Sequence, residues 1–374
     1  MSHTAELTRG GAAVEGGRLK AAVLGATGMV GQQFVRALRE HPWFEVVALA
    51  ASSSSAGKPY AEALAGRWSM DFDVPERLAG LTVQDAADVD AIAAQADVVF
   101  CALSLDAERT RALEDSYARK GVWLTSNNSA FRRDPLVPMV IPAVNPQHLG
   151  LIPHQRAAKG YETGGIIVKS NCSIQSYVTA LEPLREYGVE RVTVHSEQAV
   201  SGAGKTFETW PEMERNVIPL IGGEEEKSET EPLKIWGEAS ADGIRPAAGP
   251  RIKARCVRVG VSDGHTAYVT VKFKSTPTHA QILDRWERYA RSQELPSAPR
   301  KLIHYRYEPD RPQPRLDVMT EGGMAVTVGQ LEVDGDEGTV SFTALAHNAI
   351  LGAAGGAVWA TEAAVARRLV YRRI

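Results

Sequence analysis

The sequence predicts an α/β fold in two parts: a Rossmann-type, doubly wound nucleotide domain followed by an α+β domain. Three observations point there. An apolar run ends in the glycine-spaced turn Gly25-Ala-Thr-Gly28-Met-Val-Gly31 and passes directly into helical spacing. Short apolar runs without alternation follow at Val46 to Ala50, Asp97 to Leu103 and Val122 to Thr125, the pattern of parallel strands covered on both faces. Beyond Pro153 the pattern changes to alternating β-branched stretches, Val192 to Glu197, Cys256 to Val261 and Thr266 to Lys274, as in an antiparallel or mixed sheet.

The first unit reads as strand, tight turn, helix. Ala21 to Leu24 form the strand, and Val30, Phe34, Val35 and Leu38 space a helix up to His41-Pro42. Glycines in the intervening turn let a pyrophosphate approach the unpaired N–H groups at the positive end of the helix. The second strand ends in Ser52-Ser53-Ser54-Ser55, where a carboxylate would otherwise select NAD. Hydroxyls and backbone donors, with Lys58 nearby, favour the 2′-phosphate of NADP; the plain alternative is a solvated serine loop. Further on, Gly165 to Ser170 is strand-like and Ile174 to Tyr187 helical. Gly222 to Pro250 is charged and then Gly/Pro-rich, which predicts long surface excursions, and Ile350 to Leu369 is Ala-rich and helical.

Composition narrows the function classes. The chain has 374 residues, 44% hydrophobic and 23% charged, with a net charge of -3 and no block of Lys or Arg. That balance argues against nucleic acid or an anionic membrane as partner and for a small molecule. Three cysteines, Cys101, Cys172 and Cys256, are too few for a disulfide framework, and none has zinc-ligand spacing, so no metal site is expected. Residues 1–18 are polar and lack the apolar stretch of a signal peptide, which predicts a disordered tail on a cytoplasmic enzyme.

Of the three thiols, Cys172 is singled out by Ser170-Asn171-Cys172-Ser173, between an apolar strand and a helix with Ile174, Tyr177, Val178 and Leu181 on one face. A helix N-terminus lowers a thiol pKa and offers N–H donors to an oxyanion. Cys101 and Cys256, inside strand runs, read as small core residues. A thiolate that adds to an aldehyde gives a thiohemiacetal, and loss of hydride to a nicotinamide leaves a thioester. The base this needs is best supplied by His265, beside a glycine turn between two strand-like runs. His41, His148, His154, His279 and His304 read as surface or loop residues, and His195 and His347 as core histidines.

Seven motifs occur in one order: Gly25 to Gly31, Ser126-Asn-Asn-Ser-Ala-Phe-Arg132, Ser170-Asn-Cys172-Ser, Gln198-Ala-Val-Ser-Gly-Ala-Gly204, Gly223-Glu-Glu-Glu-Lys227, Arg258 to His265, and His347-Asn348 with Gly352-Ala-Ala-Gly. From about Leu19 to about Glu362 the chain resembles the aspartate-semialdehyde dehydrogenases, in their archaeal and fungal branch. The resemblance implies reversible, NADP-dependent conversion of L-aspartate 4-semialdehyde and phosphate to L-4-aspartyl phosphate, in amino-acid biosynthesis, with Cys172 as the acyl-thioester nucleophile and His265 as acid/base. It implies that Gln198 orients the substrate, Arg258 takes its α-carboxylate and Glu224 its amino group, while Lys227 and Arg132, with Asn171, receive phosphate. Cofactor contacts are implied for Gly25, Thr27, Gly28, Met29 and Val30, for Ser52, Ser53 and Ser54, and for Ser201, Gly202 and Asn348.

The same resemblance implies a nucleotide domain over 19–170 completed by the C-terminal helix 349–374, a catalytic and dimerisation domain over 171–348, and a homodimer or homotetramer. Two departures stand out. Ser54 occupies a place where the family often has arginine, so NAD is expected to serve as a weaker substitute, and Lys205-Thr206-Phe207 replace a common Tyr-Pro-Gly. Competing readings are an acyl-CoA reductase of malonyl-CoA type on the same scaffold, which needs no acceptor for an amino group, and a non-catalytic dinucleotide-binding protein, which needs none of Cys172, Gln198 and His265.

Overall fold

The computed structural model describes residues 17–289 and 295–373. Of the expected tail only Gly17 and Arg18 fall among them; the rest lies outside the described residues. The chain builds two sheets. Six parallel strands, β1 (Leu19–Leu24), β2 (Phe44–Ala51), β3 (Gln84–Asp85), β4 (Val98–Cys101), β5 (Trp123–Ser126) and β6 (Gly165–Val168), lie in the order β3-β2-β1-β4-β5-β6. This is the doubly wound order, with its switch between β1 and β4, so the crevice for a ligand opens above their carboxyl ends. Strands β4, β5 and β6 are buried at every residue, which is why their sequences run apolar without alternation.

Two glycines make the first turn possible. Gly25 has φ +81° and lies so close to the next strand that a Cβ would stand 2.5 Å from the Ala102 carbonyl oxygen. A Cβ on Gly31 would stand 2.1 Å from the Gly25 carbonyl oxygen, so only glycine lets the helix Met29–Leu38 start this close to the strand. That helix buries Phe34, Val35 and Leu38. The C-terminal helix Gly355–Ala366, entered through a π-turn at Ile350–Ala354, packs against it and is buried from Gly355 to Ala364.

The second sheet has seven strands. In chain order they are β7 (Val189–Gln198), β8 (Val217–Ile218), β11 (Arg251–Val259), β12 (His265–Phe273), β13 (Ile303–Tyr305), β14 (Val326–Asp334) and β15 (Thr339–Ala346); β9 (Glu238–Ser240) and β10 (Gly243–Arg245) form a separate hairpin. The order is β13-β14-β15-β12-β7-β11-β8, with parallel pairing at β7/β11 and β13/β14 and antiparallel pairing elsewhere. Helix Ile174–Leu181 packs on β12, β14 and β15, and helix Glu224–Ile235 on β11. The first of these is shorter than the sequence suggests. Pro183 turns its continuation, Glu182–Tyr187, into a 3₁₀ segment because it cannot donate to the α ladder.

Other expectations are corrected. Gly222 to Pro250 is not a run of surface excursions: Glu224–Ile235 is a helix that buries Glu224, Ser228, Glu231 and Lys234. A charge run misleads here because its polar groups find partners inside, as when the Lys234 ammonium donates to the carbonyls of Arg132, Asp134 and Val137 at 2.8, 2.6 and 2.9 Å. His41 and His148 are buried rather than exposed; His41 Nε2 lies 2.7 Å from Glu362, and His148 bridges Asn145 and the Gly237 carbonyl. Among the described residues no helix is long and apolar enough to cross a membrane.

Candidate active site

Strand register assembles the chemical corner. Gln198, the last residue of β7, pairs with Arg258 on β11 and with His265 on β12, so three side chains far apart in sequence stand side by side. Cys172 enters from the turn between β6 and helix Ile174–Leu181. Its Sγ lies 3.3 Å from His265 Nε2. The Ala199 N–H donates to His265 Nδ1 at 3.1 Å, and an amide cannot accept in return. The neutral ring therefore carries its proton on Nε2, aimed at the sulfur. Close packing holds this arrangement: a Cβ on Gly202 would meet His265 Cε1 and Arg258 Nη1, each at 2.8 Å, and one on Gly352 would meet Cys172 Cβ at 2.9 Å.

Burial governs the charge states. It pushes the Cys172 thiol up to about 12, with Glu224 adding to the rise and Arg132 and Arg258 opposing it. The lowering expected from a helix N-terminus is thus outweighed by desolvation. His265 is pulled down to about 3, first by burial and then by Arg258, so the ring is neutral across the physiological range.

Around this pair stand two buried carboxylates. Glu224 accepts from Asn171 Nδ2 at 3.0 and 2.9 Å, from Gln198 Nε2 at 3.2 Å and from Lys227 Nζ at 2.7 Å. Burial would raise its carboxyl, but Lys227, Asn171 and Gln198 outweigh that and hold it below its ordinary value. Glu231 accepts from the Asn171 N–H at 2.6 Å and from Arg132 Nη1 at 2.9 Å. Asn171, Arg132 and Lys227, expected at one anion site, are thus linked through these carboxylates rather than directly to one another. Glu231 was not legible as a site residue, although it lies seven positions after Glu224 and four after Lys227, on the same helical face. Arg258 Nη1 donates to the Ala199 carbonyl at 2.7 Å, which fixes the plane of its guanidinium.

At the other end of the cleft a cavity of about 740 Å³ is lined by Gly25, Thr27, Gly28, Ser52, Ser53, Leu103 and Arg109 among others. Val30 lines a neighbouring cavity with Asn127 and Asn128. Met29 begins the helix beside them. The glycine cradle, the helix start and the serines suit a dinucleotide phosphate chain, so the residues fit a nicotinamide dinucleotide. Ser54 is exposed, its Oγ 3.0 Å from that of Ser52. Ser201, Gly202 and Asn348 lie instead at the nucleophile end, where Asn348 Nδ2 donates to Ser201 Oγ and its Oδ1 accepts from the Gly264 N–H, both at 2.9 Å. The sheet also brings Asp85 beside Ala51 and into the large cavity, a carboxylate that the serine loop by itself does not reveal.

The chain matches two family models, the semialdehyde dehydrogenase NAD binding domain over residues 20–152 and the semialdehyde dehydrogenase dimerisation domain over residues 181–351. It is 41% identical to aspartate-semialdehyde dehydrogenase of Aspergillus fumigatus, over 92% of this chain and 97% of that one. It is 40% identical to aspartate-semialdehyde dehydrogenase of Archaeoglobus fulgidus, over 94% and 100%. The crystal structure of aspartate semialdehyde dehydrogenase with NADP from Candida albicans superposes with a TM-score of 0.82 at 35% identity, covering 94% of this chain and 100% of that one. The Vibrio cholerae aspartate semialdehyde dehydrogenase II complexed with ASA gives 0.71 at 26%, covering 93% and 98%. With this identity sustained along nearly its whole length, the chain belongs to the aspartate-semialdehyde dehydrogenase family.

Proposed function

We infer that the chain catalyses the reversible, NADP-dependent interconversion of L-aspartate 4-semialdehyde plus phosphate and L-4-aspartyl phosphate through a thioester on Cys172. The observation that carries the mechanism is the 3.3 Å approach of Cys172 Sγ to His265 Nε2 inside a ring of substrate-sized charges. Arg258, its plane fixed by Ala199, takes the substrate carboxylate as a two-pronged donor. Glu224, kept ionised by Lys227, takes the ammonium, and Gln198 orients the carbonyl next to the sulfur.

The nicotinamide, when bound, accepts the hydride that leaves the adduct carbon. Cys172 reacts as the thiolate, its thiol proton passing to solvent, and His265 serves the adduct as acid/base from Nε2: its proton first supports the sulfur, is then shared with the adduct oxygen, and returns to nitrogen as the thioester carbonyl forms. Lys227, Arg132 and the Asn171 side chain receive the phosphate that attacks the thioester. The cofactor is held by Gly25 to Val30 and Ser52 to Ser54 at one end and by Ser201, Gly202 and Asn348 at the other. Residues 19–170 with 349–374 form the nucleotide domain and 171–348 the catalytic domain.

The working unit is a homo-oligomer joined through the second domain, where the matched dimerisation model lies and where Val217, Leu220, Tyr307, Leu316 and Met319 expose apolar surface. Sedimentation of the purified chain checks this. For the reaction, Cys172→Ala should lower turnover of aspartate semialdehyde with NADP and phosphate by about 10³-fold or more while cofactor binding stays within a few-fold. Retained dehydrogenase activity, or a preference for malonate semialdehyde with CoA, would sink this assignment.

A further inference from the structure

Lys169 is a buried cation that the reaction as described leaves unused. It follows β6 directly, and its N–H donates to the Ser126 carbonyl at 2.8 Å, which sets it at the carboxyl edge of the parallel sheet, three residues before the nucleophile. Only 1% of the residue is exposed, and among the described residues its Nζ meets no hydrogen-bond acceptor. The amine lies against the start of the C-terminal helix, where a Cβ on Gly356 would come within 2.6 Å of it. One turn earlier in the same segment, Gly352 lies against Cys172 Cβ and Cα, so Lys169 and Cys172 border the same segment four residues apart along it.

Lys234 shows the contrast. It too is buried, but three carbonyls take its ammonium and it serves the fold. Lys169 has no such partners. Burial draws its amine down to about 7, Arg132 opposes its charged form further, and the Cys172 sulfur favours it. Of the neighbouring groups, then, the Cys172 sulfur favours the charged amine when it ionises.

We propose that Lys169 is a positioning residue of the reaction, whose ammonium is the countercharge to the Cys172 thiolate. The proton balance is simple: the sulfur loses one proton, the amine binds one, and the net charge of the buried pair does not change. A charge on sulfur that desolvation opposes is thereby matched inside the protein. Arg132, Arg258 and His265 act on the same sulfur from the facing elements, and Glu224 acts against them. The proposal rests on Cys172 as the nucleophile.

The test is alkylation of Cys172 by iodoacetamide in the full-length protein from about pH 6 to about pH 10, read by peptide mass spectrometry so that the buried Cys101 and Cys256 are counted apart. Lys169→Met removes an unpartnered amine and keeps the length of the chain, so folding should survive. The rate, which reports the thiolate fraction at each pH, should fall about tenfold across this range. Turnover should fall while the KM for the aldehyde stays near the wild-type value. Lys169→Gln, polar but uncharged, should behave alike. A folded Lys169→Met protein whose alkylation curve overlays the wild-type curve overturns the proposal, and so does unfolding of both variants, which would assign Lys169 to stability. Turnover retained by Cys172→Ala would instead remove the nucleophile reading, and the alkylation curves would remain interpretable.

Discussion

At the nucleotide end of the cleft, Gly25 and Gly31 act through what they lack: a side chain at either would strike backbone at 2.5 or 2.1 Å. At the nucleophile end the parts are side chains, the half-buried Cys172 and the buried His265, Arg258, Glu224 and Glu231, each held by another. The first end is made of local backbone, so one substitution should deform one turn. The second is a network in low dielectric, so one substitution should disturb several groups together. Two glycines allow the contrast to be broken experimentally. Gly31→Ala should weaken cofactor binding by about tenfold or more and leave Cys172 alkylation near the wild-type rate. Gly202→Ala forces a methyl toward His265 and Arg258, and should cost turnover about a hundredfold, more than it costs the cofactor contact at Gly202 itself. Equal losses of binding in both variants, measured by fluorescence titration, would erase the distinction.

The same difference explains what could be read from the sequence. The glycine spacing, the serine loop and the apolar strands are contiguous, so the nucleotide fold was legible from periodicity alone. Cys172 and His265 could be nominated from their local turns, but their approach across 93 positions depends on β7, β11 and β12 lying in register, which no short motif shows. Glu224 and Lys227 stand in a charged stretch whose composition predicts a surface excursion. The burial of Glu224 follows from partners, Asn171 and Gln198, contributed by other elements. Lys169 was invisible because a single lysine after a strand carries no sign of being enclosed. Asp85 belongs to the third strand, and only sheet order brings it beside the serine loop.

Within the network, Lys227 is the most accessible member, which makes it the place to separate phosphate from aldehyde. Lys227→Ala should raise the KM for phosphate by about tenfold to a hundredfold, the loss of one charged hydrogen bond of about 1.5–3 kcal/mol, with a smaller effect on the aldehyde. Equal effects on both substrates would show that its contact with Glu224, at 2.7 Å, is its whole role.

Acid should reach the nucleophile end before the nucleotide end. Burial lowers His265 to about 3 and His347 to about 4. A histidine whose folded pKa lies below its unfolded value of about 6.5 gives stability that is present above pH 6.5 and lost as pH falls toward the folded pKa, because the unfolded chain binds the proton first. Each should add up to about 1.4 kcal/mol per pH unit to the loss of stability between about pH 6.5 and pH 4. Urea midpoints across that window measure the slope, and His347→Gln should make it shallower. An unchanged slope would mean that His347 is protonated in the folded protein.

The smallest expected effect lies at the far nucleotide end, where backbone gives way to charge. The serine loop offers hydroxyls to a 2′-phosphate, with Ser52 and Ser53 lining the cavity and Ser54 bonded to Ser52. Opposite them, Ala51 pairs with Asp85, whose Oδ1 accepts from the Ala87 N–H at 2.9 Å and which lines the same cavity. A carboxylate near a phosphate dianion in an open, hydrated cleft repels it by about 1 kcal/mol, and one serine hydroxyl offsets a similar amount, so NADP should be preferred over NAD by a modest ratio. Asp85→Asn removes the repulsion and keeps the cap on Ala87, and should raise the ratio of kcat/KM for NADP over NAD about fivefold. Ser54→Arg adds a charged donor and should raise it further, about tenfold or more if the side chain reaches the 2′-position. Kinetics with both cofactors decide between loop and strand: a response to Ser54→Arg alone places the 2′-phosphate over the serines, and a response to Asp85→Asn alone places it over the third strand.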